Sequence, residues 1–152
     1  MQKITPFLWY ENQAEEAANF YVSIFKNSKI VDVTRHGEDG PAFMVTFELD
    51  GQRIMALNGG PQFPMTEAFS FFVNCDSQEE VDMLWEKLTA GGEESMCGWL
   101  KDKYGLSWQI VPNELIVLMQ DEDAAKAQRV REAMLQMQKI DIPTLRQAYE
   151  QG

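Results

Sequence analysis

Few side chains in this chain are suited to acid–base, nucleophilic or metal chemistry. It has one histidine, His36, and two cysteines, Cys75 and Cys97. A single histidine excludes HExxH zinc chemistry and multi-histidine metal sites. It also leaves His36 as the sole histidine for a catalytic triad. His36 precedes the turn-forming run Gly37-Glu38-Asp39-Gly40, which places it at a strand end on the surface. Two cysteines are too few for a disulfide scaffold or a CxxC zinc site, so both read as reduced, mostly buried thiols.

Within that short inventory, the stretch ESMCGWLKDKYG carries the main candidates. Cys97 is the candidate nucleophile. A thiol needs a nearby base or cation to ionise. Lys101 and Lys103 follow it in sequence, although strand alternation does not guarantee contact. Glu94 is the candidate general base, provided it faces the same side. Trp99 offers a flat face on which a planar ligand can stack.

Composition narrows the partners. Lys and Arg total 13 against 24 Asp and Glu, a formal charge of −11. Phosphate backbones need a basic face, so nucleic acid is excluded as a partner, and anionic membrane surfaces are disfavoured. The acidic surface reads as solvation. With 152 residues, 45% of them hydrophobic, the chain can bury a core without staples. It has no run long enough to span a bilayer, and MQKITPFLWYENQ lacks the layout of a signal peptide. A cytoplasmic protein is expected.

An internal repeat organises the candidates. Shifted by 64 positions, FLWYENQAEEAANFYVSI lines up without a gap on FFVNCDSQEEVDMLWEKL. Each copy reads as strand, cap, helix, from about Ile4 to Tyr10 and from about Ala68 to Asn74 for the strands. Asn12 with Glu15, and Ser77 with Glu80, look like capping pairs. Ala17, Phe20, Tyr21 and Ile24 form one apolar stripe, and Val81, Leu84, Trp85 and Leu88 the other, both at helical spacing. Gly91-Gly92 ends the second helix. Three strands then follow in each copy. The first set is predicted near Ser28 to Arg35, Ala42 to Leu49 and Arg53 to Leu57, with Asp50-Gly51 as a hairpin turn. The second is predicted near Glu93 to Cys97, Trp99 to Lys101 and Leu106 to Val111. The fold class is therefore α+β: two βαβββ modules sharing one sheet (1–60 and 61–112), then a helical extension (113–152).

The extension is predicted as helices over Asn113 to Gln120, Asp123 to Gln138 and Asp141 to Glu150. Ala127, Val130, Met134 and Met137 form an apolar stripe, which reads as core or dimer contact. Asp141 is placed to cap the last helix, with Pro143 in its first turn.

Paired βαβββ modules are the architecture of the vicinal oxygen chelate superfamily, which includes glyoxalases, bleomycin-resistance proteins and dioxygenases. The segments LWYENQAEEAANFYVSIF, GGEESMCGWLKDKYGLSWQIVP and AMLQMQKIDIPTLRQAYE resemble its PhnB-like branch, over nearly the whole chain including the tail. Some members of that branch carry the label 3-demethylubiquinone-9 3-methyltransferase. The resemblance implies a cavity between the modules and a homodimer.

It also implies where a metal would sit: on the first and last strands of each module, usually held by His and Glu. Carried over by position, those places are Pro6, Ala56, Ser70 and Gln109. Proline and alanine have no donor atom, and serine and glutamine are weak neutral donors, so a catalytic metal set is missing. No metal and no cofactor are expected. The methyltransferase label finds no support either. Gly59-Gly60 is followed by Pro61 and Gly91-Gly92 ends a helix, so neither forms the Gly-rich loop typical of S-adenosylmethionine enzymes.

Strand alternation then selects the cavity residues. If Phe7, Trp9, Phe71, Val73 and Trp108 face the helices, Leu8, Tyr10, Ser70, Phe72, Asn74 and Gln109 face the cavity. Asn58 joins them, two residues beyond Ala56, and Trp99 lies at the rim. An apolar, aromatic lining with a few amides and hydroxyls suits a small molecule. Three functions are compatible with this pattern: metal-free binding of a small apolar or aromatic molecule, an enzyme acting on a small metabolite, or a structural dimer.

Overall fold

The computed structural model describes residues 2–151. They fall into two compact units divided between Met65 and Thr66. Unit 1 contains β1 (Phe7–Tyr10), α1 (Ala14–Ile24), β2 (Lys29–Arg35), β3 (Ala42–Leu49) and β4 (Gln52–Asn58). Unit 2 repeats the plan with β5 (Ser70–Cys75), α2 (Gln78–Thr89), β6 (Glu93–Glu94), β7 (Trp99–Lys101) and β8 (Ser107–Pro112). It continues into α3 (Asn113–Met119), α4 (Ala124–Met134) and α5 (Ile142–Glu150).

Each unit has its own four-stranded sheet, ordered β1-β4-β3-β2 and β5-β8-β7-β6. The expectation of one shared sheet is therefore corrected. The first and last strands of a module pair in parallel, and the other pairs are antiparallel. Parallel closure across the crossover helix pairs all four strands of a module among themselves.

In unit 1, β3 and β4 meet at the expected tight turn. Asp50 and Gly51 both have positive φ, 49° and 78°, as a two-residue primed hairpin requires. The helix buries Ala14, Ala17, Ala18, Tyr21 and Ile24, against a sheet face that buries Leu8, Val45, Phe47, Ile54 and Ala56. Phe20, expected in the stripe, is half-buried. The cap of α1 differs from expectation. Gln13 occupies the N-cap and its side chain makes no cap bond. Asn58 supplies the acceptor from the end of β4, with its Oδ1 2.8 Å from the Ala14 amide.

In unit 2, α2 buries the expected stripe of Val81, Leu84, Trp85 and Leu88. Ser77 caps it, accepting from the Glu80 amide at 3.1 Å. The reciprocal Glu80 carboxylate accepts from the Asp76 amide, one residue before the cap. The strand expected over Glu93 to Cys97 is only two residues long. Beyond it the backbone leaves the sheet: the Cys97 and Gly98 amides donate to the carbonyls of Met137 and Gln138, at 2.7 and 2.8 Å. The tail thus takes hydrogen bonds that a longer edge strand would have received.

Two of the three tail helices, α4 and α5, start at capping aspartates. Asp123 accepts from the Ala125 and Lys126 amides, and Asp141 from the Thr144 amide. The tail helices pack onto unit 2 around Val111, Leu115, Val130, Ile140 and Leu145, with Met134 and Met137 half-buried against that cluster. Gln78 clips the tail to the start of α2. Its amide donates to the Ile140 carbonyl and accepts from the Ile142 amide, at 3.0 and 2.7 Å.

Candidate functional site

Each sheet has one face covered by its helix and one that is not. Register decides which side chains stand on the uncovered face, and it does so differently in the two units. In unit 1, Leu8 and Tyr10 are buried on the α1 side, and the Tyr10 and Tyr21 hydroxyls are 3.0 Å apart. Phe7 is half-exposed on the opposite side with Trp9. The expectation that Leu8 and Tyr10 line a cavity is therefore corrected. In unit 2 the helix side carries Phe71, Val73 and Cys75, while Phe72 and Asn74 are exposed on the other.

The physical reason is a one-residue difference in the connection. Three residues, Glu11 to Gln13, join β1 to α1, whereas Asp76 and Ser77 alone join β5 to α2. A gapless shift of 64 fits the helices but misplaces the strands by one, and a one-residue slip turns every side chain to the other face. The structural counterpart of Tyr10 is Cys75, not Asn74.

Asn58 moves with the same correction. Paired with Tyr10 across the ladder, it stands at the helix side of β4. Its Oδ1 caps α1 and its Nδ2 donates to the Ala42 carbonyl at 3.0 Å. Both ends of the amide are engaged in holding unit 1 together. Ala56 is likewise fully buried on that side.

The uncovered face of unit 1 carries Phe7, Trp9, Met44, Thr46, Met55 and Leu57. Phe63 packs edge-on against Trp9, with ring centroids 4.9 Å apart, and the Trp9 indole donates to the Gly60 carbonyl. This surface is apolar and aromatic.

The uncovered face of unit 2 is more polar. Ladder partners place Phe72, Gln109 and Trp99 in one row, and Ser70, Ser107 and Lys101 in the next. The Gln109 amide donates to the Ser70 hydroxyl at 2.9 Å. Five of the expected cavity residues (Ser70, Phe72, Asn74, Trp99 and Gln109) thus share one sheet face. Ser107 belongs with them and was missed, since an isolated serine in an apolar strand carries no chemical signal. Its hydroxyl is buried and has no hydrogen-bond partner.

At the β6–β7 edge, a cavity of about 550 Å³ opens between Trp99, Lys101, Ser107, Cys97 and the carboxylates of Glu67 and Glu93. Lys101 pairs with Glu67. That pairing holds the Lys101 ammonium above its usual range and the Glu67 carboxyl below it. Glu94 also borders the cavity. Its carboxylate accepts from the Trp85 indole of α2 at 2.5 Å, so the candidate general base is tied towards the helix.

Cys97 is half-buried with a left-handed backbone, φ 60°. That conformation costs a side-chain-bearing residue about 1–2 kcal/mol, and the bonds to the tail hold it. Cys75 is buried, and desolvation, with Glu80 nearby, pushes its thiol up to about 12. It is an inert core group. His36 is exposed just after β2, beside Phe43. Lys103 lies over the Tyr104 ring.

The observed register also changes which residues stand at the metal positions. On the uncovered faces, the first and last strands present Phe7 and Trp9, Met55 and Leu57, Ser70 and Phe72, and Ser107 and Gln109. This set offers hydroxyls, an amide and a thioether, and does not fit a divalent catalytic metal. Among the described residues, no three His, Cys, Asp or Glu side chains are grouped to hold one. No helix among them is long and apolar enough to cross a membrane.

Comparison with known proteins agrees with this architecture. The family described as 3-demethylubiquinone-9 3-methyltransferase matches residues 2–111. That match spans the two modules, and the tail lies beyond it. A PhnB protein from Bacillus cereus, described as a putative 3-demethylubiquinone-9 3-methyltransferase, is 40% identical, with TM-score 0.68 over 73% of this chain and 99% of its own. A Pseudomonas aeruginosa protein is 18% identical, with TM-score 0.62 over 74% and 98%. The fosfomycin resistance protein FosX from Listeria monocytogenes is 17% identical, with TM-score 0.53 over 74% and 93%. The latter two share the fold alone. No curated protein matches the chain. Two closed βαβββ modules, the family match and the 40% identity together place this chain in the PhnB-like 3-demethylubiquinone-9 3-methyltransferase family of the vicinal oxygen chelate superfamily.

Proposed function

We propose that the protein binds a small apolar or aromatic molecule, without metal, on the uncovered faces of its sheets. The observation that carries this reading is the chemistry of the uncovered sheet faces. One presents Phe7, Trp9, Met44, Met55 and Leu57, and the other presents Phe72 and Trp99 with the hydroxyls and amides of Ser70, Asn74 and Gln109. Aromatic walls with a few orienting polar groups recognise organic ligands. The residues at the superfamily's metal positions supply no His or carboxylate. The protein acts as a cytoplasmic homodimer in this reading.

Elemental analysis and native mass spectrometry of freshly purified protein test the proposal together. A co-purified organic mass with no stoichiometric metal is expected. Stoichiometric zinc, nickel, manganese or iron overturns it and restores a chelate enzyme acting on a small metabolite.

A further inference from the structure

The cavity beside β7 has a charge and an unmet hydrogen bond that together select among small molecules. Glu67, Glu93 and Glu94 line it, against the single ammonium of Lys101. Lys101 is already neutralised by Glu67, and the Glu94 carboxylate accepts from the Trp85 indole. A surplus of negative charge remains at the mouth, and an organic anion is repelled there.

The second observation is independent of charge. Ser107 is 1% exposed, lines the same cavity, and its hydroxyl has no partner. Buried hydroxyls are nearly always satisfied, and an exception calls for a missing group. Trp99 adds an aromatic wall on the same sheet face. A group that brings N–H donors, positive charge and an apolar body satisfies all three features.

We propose that this cavity takes a small primary amine in its ammonium form, with an aromatic or aliphatic body. The Glu93 carboxylate and the Ser107 hydroxyl accept from the ammonium, and Trp99 packs on the body. Lys101 is the ladder partner of Ser107, and its long, partly exposed side chain swings aside to admit the ligand. The tail fixes the rim, since the Cys97 and Gly98 amides are bound to Met137 and Gln138. The inference rests on the metal-free binding reading above and adds the charge of the ligand.

Three matched probes test it by isothermal titration calorimetry at low salt: 2-phenylethylamine, 2-phenylethanol and phenylacetate. The amine is expected to bind at least about tenfold more tightly than the other two, the ratio that one well-placed charged contact supplies. Glu93→Gln is expected to remove most of that preference. Ser107→Ala is expected to weaken amine binding several-fold while leaving the urea midpoint unchanged or higher, because it removes an unsatisfied hydroxyl. Equal binding of all three probes, or a preference for phenylacetate, overturns the ammonium inference and leaves small-molecule binding standing. Binding of none, with no co-purified organic mass in the native spectrum, overturns both.

Discussion

The two units run the same course of strand, helix and three strands, yet they are held together differently. Unit 1 has long strands after its helix, β2 of seven residues and β3 of eight, and its helix is capped from a distance by Asn58. Unit 2 has strands of two and three residues at the same places. It caps its helix locally with Ser77 and completes its edge with the tail. One unit is closed by its sheet, and the other by helices added after it. The difference also separates the faces: the self-sufficient sheet is lined by apolar rings, and the propped one carries hydroxyls, amides and the charged cavity.

Asp102 gives the sharpest test of that contrast. Its buried carboxylate accepts from the Tyr104 and Leu106 amides and the Trp108 indole, at 2.8, 3.1 and 2.9 Å. The matching hairpin in unit 1 turns on Asp50-Gly51, where Asp50 is exposed. Asp102→Ala strands three donors and is expected to cost about 3–5 kcal/mol. Urea unfolding reads the loss. Hydrogen exchange is expected to rise through β7 and β8 while β3 and β4 stay protected, and equal loss in both units breaks the comparison.

The tail is next. Ile140→Ala empties the centre of the cluster that joins the tail to β8, at an expected cost of about 3 kcal/mol. Amides at Cys97 and Gly98 should lose protection first, because their acceptors lie three and two residues before Ile140. An unchanged exchange rate at those two amides contradicts the view that the tail completes the short edge.

The caps distinguish long-range from local design. Asn58→Ala removes the α1 cap and the bond to Ala42, and should cost about 1–2 kcal/mol. Ser77→Ala should cost about 1 kcal/mol. Thermal unfolding of the two variants ranks them, and a larger loss from Ser77 reverses the argument.

The smallest effect concerns Cys75, the counterpart of Tyr10. Its thiol ionises only near 12 in the folded state, well above the unfolded value of about 8.5. A raised folded pKa contributes stability below the unfolded value, and that contribution is lost as pH rises from there towards 12. Wild type should therefore lose urea resistance above about pH 8.5 more steeply than Cys75→Ala. Parallel pH profiles count against a buried, neutral thiol. Thiol-reactive dye under native conditions should label Cys97 and spare Cys75.

Much of the fold is legible in the sequence because its signals are local. Asp50-Gly51, Ser77, Asp123 and Asp141 announce turns and caps through their own backbone preferences, and the stripe from Val81 to Leu88 follows helical period alone. The short middle strand Trp99–Lys101 has the bounds expected of it. The site is less legible. Ser70, Phe72, Asn74, Trp99 and Gln109 share one face as expected, whereas Leu8, Tyr10 and Asn58 turn to the helix side. Two ungapped copies give no hint of the extra residue between Tyr10 and Ala14.

The sequence by itself determined the element types, the repeat, the helical tail, and the scarcity of His and Cys that leaves no obvious metal set. These depend on residue identity and on spacings shorter than a helix turn or two. Tertiary structure alone decided which face each strand turned to its helix, that Asn58 caps rather than binds, that the tail props unit 2, and that Ser107 is buried without a partner. Those outcomes depend on pairing between residues far apart in the chain. A single residue of loop length there reverses every side chain of a strand while leaving the local pattern unchanged.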